Sequence, residues 1–271
     1  MADTNIIKRP IGDILKHFAH RNDLRSLAYV SEHELKKYVW ILDTNIFVDD
    51  EYYPKCEFIV KNGNFMVSQD VIDELISGDP IKKNAVWARA HHLAIFIQKN
   101  FPDRIFPKPR HQLVRELQQL AGLISKTYIQ KVILDHFNEI YNTFKKNEFR
   151  QNEVLDNFIH GINRNLTTTL KRGFEARARG VIQPGKIAHI EDFFIQNMKA
   201  TLRDIFHNIK NYMHAELGTC KRLIIKHFFR PLETDIQIAA SYIEHHKPRH
   251  HLGSNDKDVV ELVVLHEYRA V

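Results

Sequence analysis

The sequence predicts an α/β fold, a parallel sheet flanked by helices, with a large all-helical segment interposed. Three observations predict it. Two short apolar runs rich in β-formers, YVWIL (38–42) and NFMVS (64–68), each lead straight into a polar turn or a helix start. A third candidate strand, RHHLG (249–253), follows a helical pattern near the C-terminus. Between them, residues 81–230 carry apolar side chains at helical spacing almost throughout. Strands alternating with helices are the pattern of a parallel sheet, because parallel strands need crossover connections.

Taken in order, residues 1–37 read as short helical pieces, with Ile11, Leu15 and Phe18 at helical spacing. The run YVWIL is a buried strand that ends in Asp-Thr-Asn. After NFMVS, Ser68 is placed to cap the helix QDVIDELISG, and Gly78 to end it. Four apolar stripes follow. Leu113, Leu117, Leu120 and Ile124 step by four, three and four, as do Ile133, Phe137, Ile140 and Phe144, and Leu155, Ile159, Ile162 and Leu166. The longest runs from Ile190 through Phe194, Met198, Leu202, Ile205 and Ile209 to Tyr212. Such stripes are the core faces of a helical bundle. Pro- and Gly-rich breaks fall at 101–110 and 180–185. A T-x-x-Q capping box, Thr234 with Gln237, starts a helix whose apolar face is Ile236, Ala239, Ala240 and Ile243 and which ends near Pro248. SNDKD (254–258) is the polar turn leaving the last strand. The expected organisation is a core made of 1–100 and 215–271, with a helical insertion at 101–214.

The 271 residues are 44% hydrophobic, enough for a substantial core in one large domain or two small ones. Gly and Pro are too scarce for collagen-like or low-complexity sequence. The only cysteines, Cys56 and Cys220, form no CxxC pair and are read as reduced and structural. The segment MADTNIIKRP lacks the apolar stretch of a signal peptide, and no apolar run reaches membrane-helix length. A soluble, cytoplasmic protein without membrane partners is expected. The net charge of +6 is uneven: residues 101–230 hold 22 Lys and Arg against 12 Asp and Glu, while the rest is net acidic. A basic stretch favours polyanions and an acidic cluster favours cations, although a solvated helical face explains the former equally simply.

Four acids stand out by position. Asp43 ends the first strand, Glu74 lies on the helix after the second, Asp235 opens a late helix and Asp256 follows the last strand. Sites in open α/β sheets form beyond the carboxyl ends of strands, so these four can share one crevice. Clustered carboxylates repel and are driven to protonate unless a cation joins them; all-oxygen ligation favours Mg²⁺ or Mn²⁺. Singly, each acid has a simpler role in a turn, in a helix start or on a solvated face. Periodicity alone does not separate Glu74 from Asp73.

The motifs add to this. WILDTNIFVDD resembles the opening strand of PIN-domain nucleases, VIDEL the second acidic position of that family, TDIQIAASYIEH the third, and GSNDKDV the fourth. The resemblance covers roughly 38–78 and 231–271 and selects Glu74 over Asp73. Two features depart from it: the 161-residue separation of Glu74 from Asp235 and Val259 where an aromatic is common. Between Asp256 and Asp258 the choice stays open, with Asp256 favoured. The resemblance implies a PIN-like fold and a metal-dependent endoribonuclease. Asp43, Glu74, Asp235 and Asp256 would be its catalytic metal ligands for Mg²⁺ or Mn²⁺, and Asn45 and Ser254 would orient the carboxylates. It further implies products with 5′-phosphate and 3′-hydroxyl ends. Single-stranded DNA as a second substrate, an antitoxin or inhibitor partner in a toxin–antitoxin pair, and homo-oligomerisation stay open. The alternative from another class is a non-catalytic RNA-binding or scaffold protein on the same fold.

A polynucleotide needs more than a metal site to hold it, since extended affinity comes from Lys and Arg along the backbone. The densest basic run is KRGFEARARG (171–180), with Lys171, Arg172, Arg177 and Arg179 as RNA-binding candidates. Gly173 and Gly180 suggest an exposed, loosely structured segment, in which Phe174 either stacks on an unpaired base or packs inward. Seventeen histidines include the adjacent pairs His91–His92, His245–His246 and His250–His251. Helix neighbours point apart and chelate poorly, so a histidine metal site is not expected. Arg222 and His227 match an R-x-x-x-x-H ribonuclease spacing, but one such match in a long basic helix is near chance.

Overall fold

The computed structural model describes residues 22–77 (except 25), 85–147, 153, 157, 172–228 and 232–269. They fall into two compact units. One lies within Pro10–Gln119 and Glu233–Val264, the other within Leu120–Leu232 and Leu265–Val271. Within the described residues the divisions come at 119/120, 232/233 and 264/265. The predicted helical pieces around Ile11, Leu15 and Phe18, the helix stop at Gly78 and the stripe Leu155–Leu166 lie outside the described residues.

The first unit is built on four parallel strands: β1 Val39–Leu42, β2 Phe65–Ser68, β3 Ile105–Phe106 and β4 His250–Gly253, in the spatial order β3-β2-β1-β4. Trp40, Ile41 and Leu42 are all fully buried, as are Phe65, Val67 and Leu252. A strand buried on both faces reads as a continuous apolar run, and for that reason YVWIL was legible. Leu42 registers with Val67 on one side and Gly253 on the other, so β1 and β4 end level and β2 runs one residue further.

Before the sheet, two 3-10 turns, Asn22–Leu24 and Leu27–Tyr29, lead to helix α1, Glu32–Lys37. That helix starts on a full capping box in which Ser31 and Glu34 satisfy each other's backbone donors. Helices α2 (Thr44–Val48) and α3 (Tyr53–Lys61) connect β1 to β2, and Gly63, at φ +70°, makes the return turn. Helix α4 (Gln69–Ser77) follows β2, with Ser68 Oγ accepting from the Val71 N–H at 3.3 Å as the sequence predicts. Helices α5 (Ala85–Asn100) and α6 (His111–Leu120) flank β3. The segment 101–110 is thus more than a break, since it contains a short strand that the prolines around it concealed.

In the second unit, α7 (Ser125–Asp135), α8 (Phe137–Lys146), α9 (Pro184–Asn211) and α10 (Leu217–Phe228) carry the apolar stripes. Ile190, Phe194, Met198, Leu202, Ile205 and Ile209 are all buried along α9. The other stripes do not each mark a single helix. Ile133 is on α7 and Phe137 opens α8, with His136 between, and Ile124 lies beyond α6. Spacing by three and four survives a tight bend that keeps the same face inward, so periodicity alone misses the break.

Back in the sheet-bearing unit, α11 (Glu233–His245) precedes β4, and α12 begins at Lys257. Thr234 falls inside α11 and not at its cap, because the helix starts at Glu233. The turn after β4 spans only 254–256, which puts Asp258 in the first turn of α12. Gly253 closes β4 where space runs out. A Cβ there would meet Leu42 Cδ2 at 2.9 Å, the Ile41 carbonyl oxygen at 3.4 Å and Leu27 Cδ1 at 3.7 Å. Gly253→Ala is expected to destabilise by about 1–3 kcal/mol, the cost of overpacking. Thermal melting checks this, and an unchanged Tm would show that Leu42 yields freely.

Both cysteines are free and buried, and burial pushes the Cys56 thiol far above its ordinary range, leaving it unreactive. Among the described residues no helix is long and apolar enough to cross a membrane.

Candidate metal centre

The strand order reverses direction between β1 and β4. From β1 the chain moves outward through β2 and β3, then returns to the other side of β1. Such a switch point leaves a crevice at the strand ends. Asp43 leaves β1 there, tied to its neighbour by its N–H donating to the Gly253 carbonyl at 3.0 Å. It is 3% exposed and makes no side-chain cap bond to the helix it precedes. Instead its Oδ2 accepts Ser254 Oγ at 2.6 Å and Asn45 Nδ2 at 2.7 Å. The two orienting residues inferred from sequence both reach the same carboxylate, and they also meet each other at 3.3 Å.

These bonds favour the charged carboxylate, as does the Thr44 backbone N–H, yet they do not prevail. Burial, with the Asp256 and Glu74 charges nearby, pushes the Asp43 pKa from an ordinary 3.8 up to about 7. A dehydrated acid beside two others is a place where a cation would lower the energy.

Glu74 reaches this group from α4. Its Oε2 accepts the Thr44 hydroxyl at 2.7 Å, and Thr44 is the residue next to Asp43. Asp73 is exposed and accepts from Gln69 Nε2 at 2.8 Å along its own helix. The geometry thus separates two residues that periodicity leaves equivalent.

Asp235, in the first turn of α11, and Asp256, after β4, are half-buried; Asp258 is buried at the start of α12. One carboxylate oxygen from each lies within 4.8 Å of the others. The Asp258 N–H donates to Asp256 Oδ1 at 2.8 Å, and the Asp256 N–H to Ser254 Oγ at 3.0 Å. The structure therefore brings Asp235 and Asp256 together with Asp258, while Asp43 lies within the electrostatic reach of Asp256 and Glu74. The spacing D-x-D was the signal for Asp258, since two residues into a helix start returns a side chain toward the loop that precedes it. Thr44 carried no signal, because its partner is 30 residues away.

The donor set is carboxylate and hydroxyl oxygen. Such a set suits a hard divalent cation and gives no thiolate or imidazole for zinc. The paired histidines are engaged elsewhere. His245 stacks on Phe106 with ring centroids 4.0 Å apart, His251 packs against Tyr38 and Trp40, and His91 Nδ1 sits 3.2 Å from the Leu75 carbonyl. Arg222 and His227 lie on α10 in the helical unit.

The basic run differs from its expected form. Residues 172–178 are helical, and Gly180, at φ +83°, terminates the turn in the left-handed conformation. Phe174 is 1% exposed and stacks on Phe194 with ring centroids 5.0 Å apart. It is core, not a base-stacking platform, because burying an aromatic face outweighs leaving it in water. Arg177 donates to the Gly122 carbonyl, whereas Arg172 and Arg179 are exposed. Lys171 lies outside the described residues.

Comparison with family models, with curated proteins and with solved structures gives no match.

Proposed function

We propose that this chain is a metal-dependent endoribonuclease on a PIN-like core, cleaving RNA to leave 5′-phosphate and 3′-hydroxyl ends. The observation that carries it is Asp43: a buried carboxyl at the switch point of a parallel sheet, pushed up to about 7 by burial beside Asp256 and Glu74. The four motifs that resemble the family supply its acids, in order. Asp43, Glu74, Asp235, Asp256 and Asp258 would hold Mg²⁺ or Mn²⁺. Such an ion supplies Lewis-acid chemistry at a phosphodiester, activating water and offsetting charge on the phosphate.

The protein's own part is to hold the carboxylates. Ser254 and Asn45 fix the plane of Asp43 by bonding one oxygen of it. The Thr44 hydroxyl does the same for Glu74. Burial favours the protonated form of Asp43; a bound cation would favour the carboxylate and offset the repulsion from Asp256 and Glu74.

Arg172 and Arg179, exposed on the basic helix and turn, are proposed to bind the RNA backbone. Replacing both with Glu is expected to weaken RNA binding and reduce its salt dependence by about two phosphate contacts. Filter binding across a salt series checks this, and a wild-type slope would remove them from the RNA track. The function itself is tested by incubating mixed RNA and DNA pools with the protein in Mn²⁺ or in chelator. RNA should be cut only in Mn²⁺. Binding without cutting would favour a scaffold role, and preferential cutting of single-stranded DNA would change the substrate class.

A further inference from the structure

We propose that Ser26 is a positioning residue for the acidic centre, acting through Asn255. The inference rests on the metal centre proposed above. The sheet presents β4 as an edge strand, which would expose unpaired backbone groups. The first 3-10 turn, Asn22–Leu24, packs against that edge, and Leu27 of the second lies close to Gly253 at its end. This segment is held in place by a charge. Lys55 Nζ donates to the carbonyls of Leu27 at 2.6 Å, Ala28 at 3.1 Å and Val30 at 3.1 Å. One ammonium thus satisfies three carbonyls at the end of the second turn, with charge-assisted bonds of the stronger kind. Tyr242 Oη, donating to Asp23 Oδ2 at 2.5 Å, fixes the first turn.

Within this segment Ser26 is buried, 1% exposed. Its hydroxyl donates to Asn255 Oδ1 at 2.7 Å and accepts from the Ala28 N–H at 3.3 Å. Asn255 is the joint. Its own N–H donates to Asn45 Oδ1 at 3.3 Å, and Asn45 Nδ2 donates to Asp43 Oδ2. The next residue is Asp256. Ser26 therefore sets the loop that carries Asp256 and, through Asn45, the plane of Asp43. Orienting partners of this kind govern how well ligands converge on a cation.

The test is Mn²⁺ titration of the full chain by calorimetry, well below the melting temperature of each variant. Ser26→Ala is expected to bind Mn²⁺ about tenfold more weakly, the low end for loss of an orienting partner. Ser26→Thr, which keeps the hydroxyl, should recover most of that affinity. A role in stability alone would lower Tm and leave the affinity unmoved. Because Ser26 is buried and its alanine variant can fail to fold, Asn255→Ala provides a second route. It should show the same loss, and adding Ser26→Ala to it should cost nothing more. Wild-type affinity in Ser26→Ala or in Asn255→Ala overturns the positioning role while leaving the metal centre standing. No Mn²⁺ binding by the wild type removes the metal centre itself.

Discussion

Asp43→Asn is expected to abolish cleavage while making the metal-free protein more stable. The two effects share one cause. Asp43 is a carboxyl that burial and its acidic neighbours hold far from its ordinary pKa. The amide has the same shape, and its oxygen still accepts from Ser254 Oγ and Asn45 Nδ2. It carries no charge to be dehydrated or repelled. At pH 8 the gain is on the order of 1–3 kcal/mol, a rise of a few degrees in Tm for a chain of this size. Mn²⁺ then has less to bind. It should raise the Tm of the wild type clearly and that of Asp43→Asn little, because only a ligand that prefers the native state stabilises it. Cleavage should fall by more than about 100-fold, since loss of an orienting partner alone costs 10–100-fold. Thermal melts with and without Mn²⁺, run beside an RNA cleavage assay, check all three. A metal-free variant less stable than wild type would mean that Asp43 serves the fold.

The second large effect is on pH. In the unfolded chain Asp43 titrates near 3.8; in the folded protein it titrates near 7. Between these values the native state holds a proton that the unfolded state has released. The stability associated with Asp43 is therefore complete below about pH 4, falls as pH rises to about 7 and then levels off. Mn²⁺ binding must displace that proton. Its affinity should rise with pH by up to about tenfold per unit below 7 and flatten above. Calorimetry in buffers of different ionisation enthalpy should find about one proton released at pH 6 and almost none at pH 8. In Asp43→Asn the slope should disappear. An affinity independent of pH in the wild type would show that Asp43 is not a ligand.

Much of this centre was legible in the sequence because its parts sit at ends of strongly marked elements. Asp43 follows a strand buried on both faces, and Asp256 follows another, so strand ends mark these two acids, whereas Ser254 came from the resemblance. Glu74 was selected only by a motif resemblance, since Asp73 fits the helix equally well. Other parts could not be read. β3 has two residues and lies between prolines, too short for any periodicity. Ser26 and Asn255 are 229 residues apart, and nothing local announces that they meet. Phe174 lies in a basic run with two glycines, where composition suggests exposure, yet its ring finds Phe194 on another helix. Charge marks what a segment carries; only packing decides which side chains it hides.

The most direct test of the central claim is cleavage of an end-labelled single-stranded RNA by the wild-type protein in Mn²⁺, beside chelator-treated protein and Asp235→Asn. Asp235 shares a cluster with Asp256 and Asp258 but is drawn from a different helix, so its loss breaks the centre without touching the strand ends. The expected result is cleavage to fragments with 5′-phosphate ends in Mn²⁺, lost with chelator and lost in Asp235→Asn. Cleavage that persists in chelator or in Asp235→Asn, or no cleavage by the wild type in Mn²⁺, would contradict a metal-dependent ribonuclease built on these acids.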